Sequence, residues 1–240
     1  MTSRPCWEIC RIRAVPVPDK SYHTLDDFEV NGQLILVRAD LNVPLDNDRQ
    51  ITDDTRIKRL VPTLEELSRR GGRTILISHF GRPEGRRIRN LSLGIVSPSL
   101  SKALNGADIA FANDCIGNIA KSVVNTLKPG EFALLENLRF HKGEEANDLN
   151  FAIELAALGT IYVNDAFSAA HRSHASVVGV PGLLPHAAGR LMQAELEALS
   201  KVLIHPEQPV MAIIGGAKIS TKLKLLGNLV DHVDILAIGG

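Results

Sequence analysis

The sequence predicts an α/β fold built on a mostly parallel sheet, and three observations carry that expectation. Short apolar runs recur near residues 34–37, 74–77, 108–112, 132–135, 160–163 and 210–214. Helical patterns, with apolar residues three and four apart, lie between several of them. The runs open into polar loops that carry an Arg or a His. Short buried strands alternating with helices imply parallel strands covered on both faces.

The elements follow in order. Residues 1–23 contain Pro5, Pro16 and Pro18, which oppose a long helix. They hold no apolar core suited to a signal peptide, and Glu8 and Asp19 do not suit a transit peptide. An atypical extension is expected there, either a disordered tail or the product of a start codon placed too early. The strand-like run Leu34 to Val37 leads into Arg38-Ala39-Asp40-Leu41-Asn42-Val43-Pro44. Asp54-Thr55-Arg56 opens an amphipathic helix with Val61, Leu64 and Leu67 on one face, and Asp54 or Thr55 is its expected cap. Thr74 to Ile77 precedes Ser78-His79-Phe80-Gly81-Arg82-Pro83, and Arg86, Arg87 and Arg89 read as a solvated loop face.

Cys115, in Asn113-Asp114-Cys115-Ile116-Gly117, reads as a buried inert thiol. Phe132 to Leu135 leads into Glu136-Asn137-Leu138-Arg139-Phe140. Glu136 is a candidate buried partner for an arginine, His141 a surface residue, and Lys142, Glu144 and Glu145 solvated charge. Ala152, Ile153, Ala156 and Ala157 mark a helix. Thr160 to Val163 is followed by Asn164-Asp165-Ala166-Phe167-Ser168-Ala169-Ala170-His171-Arg172-Ser173-His174. Met192, Leu196, Leu199 and Leu203 then form an apolar stripe on a helix that leads to Pro206 and Pro209. A plain surface helix has the same periodicity, and its position between two βα arrays favours an interdomain role.

The loops suggest chemistry. In a parallel α/β sheet the loops at the carboxyl ends of the strands gather at one rim, where ligands bind. Arg38, Arg82, Arg139 and Arg172 can meet there. Arginines brought together repel unless an anion joins them, and guanidinium suits carboxylate and phosphate. Further on, Val210 to Ile214 runs into Gly215-Gly216-Ala217-Lys218-Ile219-Ser220-Thr221-Lys222, and a helical pattern follows. Glycines at a helix start let backbone N–H groups approach a phosphate, and Lys218 and Lys222 add charge on one face. This is no Walker A loop, because the required spacing is absent. An ordinary tight βα turn gives the same pattern. Asp40 and Asn42 can equally be turn formers, and His79 a structural hydrogen-bonding histidine.

Composition narrows the choice. The 240 residues are 45% hydrophobic and 22% charged, with zero formal net charge, which fits a soluble globular protein without general attraction to nucleic acid or membrane. No apolar run reaches the ~18 residues a membrane helix needs. Three cysteines, an odd count, argue against a disulfide framework and suit a reducing, cytoplasmic setting. No metal site is expected from Cys6 and Cys10, which lack a second pair nearby.

Six ordered segments resemble the phosphoglycerate kinase family: Val37 to Leu45, Ile51 to Ile57, Ser78 to Pro83, Leu135 to Phe140, Ala170 to Ser176, and Gly215 to Lys218. The resemblance runs from about Thr24 to the last residue. It implies a Rossmann-like N-terminal domain with helices on both faces over residues 24–189, which would bind 3-phosphoglycerate. An interdomain hinge helix over 190–205 would lead to the start of a nucleotide-binding α/β domain over 206–240. Family members continue well past Gly240, so this second domain is expected to be incomplete. Most of the nucleoside pocket would be missing, and little turnover is expected from these residues alone.

The resemblance also implies reversible glycolytic transfer of a phosphoryl group between 1,3-bisphosphoglycerate and ADP, giving 3-phosphoglycerate and ATP. Arg82, Arg139 and Arg172 would hold the 3-phosphate end. Asp40, Asn42, Arg56 and His79 would hold the hydroxyl and carboxylate end. Arg38 and Lys218 would stabilise the transferring group, while Gly216, Lys218 and Lys222 would meet the nucleotide. Mg²⁺ would ride on ATP or ADP, and the protein would be a monomer. Departures from the family pattern are Leu41 for Phe, Phe80 for Leu, and Ser168-Ala169 for Gly-Thr. Ser168 would strain its loop if the glycine it replaces has positive φ. The rival readings are a chain that only binds 3-phosphoglycerate and an unrelated oxidoreductase, which the absence of a G-x-G-x-x-G turn disfavours.

Overall fold

The computed structural model of the chain describes residues 22–203, 207–215, 227, 230 and 233–239. Of the extension expected over residues 1–23, residues 1–21 lie outside the described residues, as do Gly216, Lys218 and Lys222. Six strands form the main sheet: β1 (Leu34–Ala39), β2 (Arg73–Ile77), β3 (Ile109–Ala112), β4 (Phe132–Leu135), β5 (Ile161–Asp165) and β6 (His186–Ala188). Their spatial order is β3-β4-β2-β1-β5-β6, and every neighbouring pair is parallel. All six carboxyl ends therefore share one rim. From β1 the chain winds one way to β2, and after β4 it crosses back to lay β5 on the other side of β1, so a crevice opens there.

The strands are apolar on both sides because both faces are covered. Ile35 and Val37 of β1 enter one core with Leu60, Leu64 and Leu67 of α1 (Thr55–Arg69) and Leu100 of α2 (Ser97–Ala103). Leu36 enters the other core with Val124 of α3 (Gly117–Val124), and with Phe151 and Leu155 of α5 (Leu149–Ala156). Successive strand side chains point to opposite faces, so continuous apolar runs are what a two-sided sheet requires. Each aliphatic side chain taken fully out of water contributes about 1.5–3 kcal/mol. The short α4 (Lys142–Glu145) lies between β4 and α5.

Two local expectations change, and one strand had no counterpart among them. Neither Asp54 nor Thr55 caps α1 through its side chain; Asp53 Oδ1 accepts from Thr55 N–H at 2.8 Å, and Asp54 pairs with Lys58 one turn on, at 2.7 Å. Glu144 is not solvated: its exposure is 0%. β6 has no apolar run to announce it. It exists because Tyr162 to Asn164 of β5 offer it a free edge, and the N–H of Ala188 also donates to His23 O at 2.8 Å.

After β6 comes α6 (Arg190–Leu203), which packs on α1 and β5. Its first turn is anchored four ways. Arg190 N–H donates to Thr63 Oγ1 at 2.9 Å, and Met192 N–H to Asp165 Oδ1 at 3.0 Å. The Arg190 guanidinium bonds Glu66 at 2.7 Å and Asp26 at 2.6 Å. Of the apolar stripe expected along this helix, Met192 is covered, while Leu199 is 41% exposed. Among the described residues, the second α/β unit is a parallel pair, β7 (Met211–Ile214) and β8 (Ile235–Ile238).

Candidate functional site

Three rim loops are fastened to one another by buried polar groups. After β1, Leu41 N–H donates to Ser78 Oγ at 3.0 Å, and Asn42 Oδ1 accepts from Gly81 N–H at 2.9 Å. After β4, the fully buried Asn137 accepts from Phe80 N–H at 3.1 Å and donates to Phe80 O at 2.7 Å and Leu91 O at 2.9 Å. Glu136 is buried as expected. Its oxygens take Ser92 Oγ–H at 2.7 Å and Leu93 N–H at 2.8 Å, with Arg87 only at 3.9 Å. Buried networks whose members are satisfied rigidify the loops they join.

On this frame sits a basic cradle. Arg38, His79 and Arg139 are 1%, 5% and 2% exposed, which is rare for charged side chains. Arg38 donates from Nη2 to His79 Nδ1 at 3.0 Å, from Nε to Ser176 Oγ at 3.0 Å, and from Nη1 to Ala39 O. Burial, then the charges of Arg38, Arg139 and Arg172, push His79 down to about 3, with Asp40 opposing. The ring is neutral at pH 7. Because Nδ1 accepts from Arg38, the hydrogen-bond network assigns the ring proton to Nε2.

Arg139 donates from Nη1 to Gly81 O at 2.8 Å, and its Nε stands 3.1 Å from Glu145 Oε1 without the alignment of a hydrogen bond. Burial and the nearby Arg172 and Arg38 lower its pKa, against Glu145. The buried Nε atoms of Arg139 and Arg172 have no hydrogen-bond partner. Arg139 Nε keeps Glu145 as its ionic neighbour, whereas a buried donor such as Arg172 Nε is costly to leave without an acceptor.

Beside the cradle lies a cleft of about 220 Å³ lined by Asp40, Arg56, Leu60, Ser168, Leu191 and their neighbours. Arg56 Nη1 and Ser168 Oγ both donate to Asp40 Oδ2. Burial raises the Asp40 carboxyl, but the bonds from Ser168 and Arg56 outweigh it and hold the group below the usual carboxylate range. Ser168 is not among the non-glycine residues with positive φ, which are Arg49, Glu84, Asn105 and Asn147. The strain considered for it is therefore absent, and its hydroxyl adds a donor to Asp40.

The structure brings Arg38, His79, Arg139 and Arg172 into one electrostatic cluster, with Asp40 and Arg56 adjoining it. Arg82 is exposed, on the loop whose Gly81 carbonyl Arg139 holds. Asn42 spends its side-chain oxygen on that same loop. Sequence reasoning assigned no site role to Asn137, Ser168, Ser176 or Glu144. Ser168 and Ser176 stood inside noticed segments, but a serine there has no signature of its own. Glu144 was hidden in a run of charges.

Asp114, Cys115 and His141 also meet, with potential ligand atoms within 4.8 Å of one another. Asp114 Oδ1 is engaged by its two neighbours. Asp114 Oδ1 pairs with His141 Nε2 at 2.7 Å and accepts Cys115 N–H at 2.7 Å. Burial, then Asp114 and Glu144, raise the Cys115 thiol well above its ordinary value, so it stays protonated. His141 is accordingly half-buried and bonded rather than a free surface residue.

Comparison with known proteins gives one consistent result. The family description that matches is Phosphoglycerate kinase, over residues 25–240. Phosphoglycerate kinase of Cereibacter sphaeroides is 55% identical over 219 residues, covering 91% of this chain and 55% of that protein. The Rhodospirillum centenum enzyme is 57% identical over 220 residues, covering 92% and 55%. Among solved structures, phosphoglycerate kinase from Coxiella burnetii superposes with a TM-score of 0.80 at 38% identity, covering 91% of this chain and 55% of that one. The Pyrococcus horikoshii enzyme gives 0.80 at 31% identity, covering 90% and 55%. The chain thus spans about half the length of the relatives it matches.

Proposed function

The chain belongs to the phosphoglycerate kinase family, and on that premise we propose that its protein transfers a phosphoryl group reversibly between 1,3-bisphosphoglycerate and ADP, giving 3-phosphoglycerate and ATP in glycolysis. The observation that carries this reading is the basic cradle. Three arginines converge on a neutral histidine, and the buried Nε of Arg172 has no hydrogen-bond partner among the described residues. A phosphorylated carboxylic acid offers two anionic ends to such a site. Its carboxylate, the nucleophile when ATP is the phosphoryl donor, is ionised at neutral pH and needs no general base. His79, held near 3 by burial and by Arg38, is a poor base and serves as a hydrogen-bond donor. The site's task is to position two polyanions, exclude water and spread developing charge.

In this proposal Arg82, Arg139 and Arg172 take the phosphate end of 3-phosphoglycerate. Asp40, Asn42, Arg56 and His79 take the hydroxyl and carboxylate end. Asp40, ionised and held by Arg56 and Ser168, is an acceptor suited to the hydroxyl. Arg38 stabilises the transferring group from this side. Gly216, Lys218 and Lys222, beyond the described residues, meet the nucleotide. Mg²⁺ enters on the nucleotide phosphates, and no described carboxylate is assigned to it. Residues 190–205 act as the hinge between domains, and the protein works as a cytoplasmic monomer. Among the described residues no helix is long and apolar enough to cross a membrane.

Titration calorimetry at low salt tests the reading. Saturable binding of 3-phosphoglycerate is expected, weakened tenfold or more by Arg172→Ala, since a hydrogen bond to a charged group contributes ~1.5–3 kcal/mol. A folded chain that shows no saturation, or binds equally well without Arg172, refutes it.

A further inference from the structure

Behind the basic cradle lies a carboxylate to which the phosphoryl-transfer reading gives no task. Glu144 of α4 has no exposed surface. Its Oε1 accepts the hydroxyl of Ser176 at 2.6 Å, and its Oε2 accepts the N–H of the same serine at 2.9 Å. A hydroxyl has one proton to give. With that proton committed to Glu144, the Ser176 oxygen faces Arg38 as an acceptor, and Arg38 Nε donates to it at 3.0 Å. Tyr162 Oη–H, itself buried, donates to Ser176 O at 2.7 Å and fixes the serine's backbone. From the far side of the same guanidinium, Nη2 donates to His79 Nδ1 at 3.0 Å.

The polarity of this chain is set at its anionic end. Glu144 orients the serine hydroxyl, the oriented hydroxyl holds one edge of Arg38, and Arg38 occupies His79 Nδ1. The electrostatics agree. A guanidinium that is 1% exposed needs a counter-charge, and Glu144 supplies one through a single hydroxyl. We propose that Glu144 and Ser176 are positioning residues that hold Arg38 so that His79 meets its ligand as a donor from Nε2. This rests on the proposed anion site only for the identity of the ligand. A Glu144 that merely neutralised buried charge would leave the tautomer of His79 indifferent to the Ser176 hydroxyl.

The test is ¹⁵N NMR of the 240-residue chain, read at the His79 ring nitrogens and at Arg38 Nε–H, with 3-phosphoglycerate titrated in parallel. The parent should show an unprotonated Nδ1, a protonated Nε2 and a slowly exchanging Arg38 Nε–H. In Ser176→Ala, with its fold checked by circular dichroism, the Nε–H should exchange faster and His79 should become a mixture of tautomers. The affinity for 3-phosphoglycerate should fall about tenfold, the scale of one charged hydrogen bond. Glu144→Gln keeps the shape of the side chain and removes its charge. It should move both NMR readouts the same way, and it carries the test if Ser176→Ala does not fold. A His79 ring that stays a single Nε2–H tautomer in the folded variants, beside an equally protected Arg38 Nε–H, overturns the proposal. A parent that shows these NMR features yet binds no 3-phosphoglycerate leaves the positioning chain standing and refutes the anion-site reading instead.

Discussion

β4 and β7 are both four-residue apolar strands, yet Leu134 and Leu135 of β4 have no exposed surface while Met211 and Ile213 of β7 are 54% and 75% exposed. β4 has a strand on each side and lies in the middle of the two covered faces. Among the described residues β7 has only β8, where Ile235 and Ile238 are 48% and 56% exposed. Both short apolar runs thus form strands, whereas how far each is buried depends on its neighbours. A two-stranded unit removes too little surface from water to stand firmly alone.

Hydrogen exchange should separate the two sheets most widely. Amides of β1, β2 and β5 are expected to exchange only through global opening, which for a domain costs about 5–15 kcal/mol. Those of β7 and β8 should exchange orders of magnitude faster, and equal protection would break the comparison. Next in size is a deletion in the large core. Leu36→Ala, at a site with no exposed surface, should cost roughly 2–5 kcal/mol in urea denaturation. A cost under about 1 kcal/mol would mean that the two-sided packing is looser than its burial implies.

Asp165 links the large sheet to α6, and its expected effect is of similar or smaller size. Burial pushes its carboxyl up to about 6, against hydrogen bonds from Thr63, Met192 and Leu191. The folded value lies above the unfolded one, so the folded state binds the proton more tightly. This contribution to stability is fully present below about pH 4 and is lost as pH rises through about 6. Asp165→Asn should abolish that loss, roughly 3 kcal/mol between pH 4 and 7. His79 has the opposite dependence, because its folded value is depressed and its contribution fades as pH falls from 6.5 toward 3. It is common to both proteins and cancels in the difference. Parallel stability–pH curves for parent and variant would count against a buried, ionising Asp165. The smallest effect is expected at Ile213→Ala, within about 0.5 kcal/mol, since the side chain is already largely in water. A loss as large as that of Leu36→Ala would show that β7 has a covering partner in solution.

The same contrast explains what was legible in the sequence. Thr74 to Ile77 and Phe132 to Leu135 were readable as strands because a sheet covered on both faces demands unbroken apolar runs. Arg38, His79 and Arg139 were readable as rim residues because they lie within four residues of the ends of such runs. β6 was not readable, since His186-Ala187-Ala188 becomes a strand only by pairing with β5. The bond from Ser168 to Asp40 joins residues 128 apart in the chain, and the Glu144–Ser176 bond joins residues 32 apart. No local pattern reports either.

From local order alone came the alternation of strand and helix, the rim on which the cationic loops gather, and the family those loops resemble. These follow from side-chain periodicity and residue type, which act over a few positions. Folding in three dimensions decided which charges are buried, which proton His79 keeps, and how Asp40 stays ionised. Those properties depend on the field and the hydrogen bonds that distant segments supply. The same glutamate in a charge run is solvated or buried according to whether a serine from another loop closes over it.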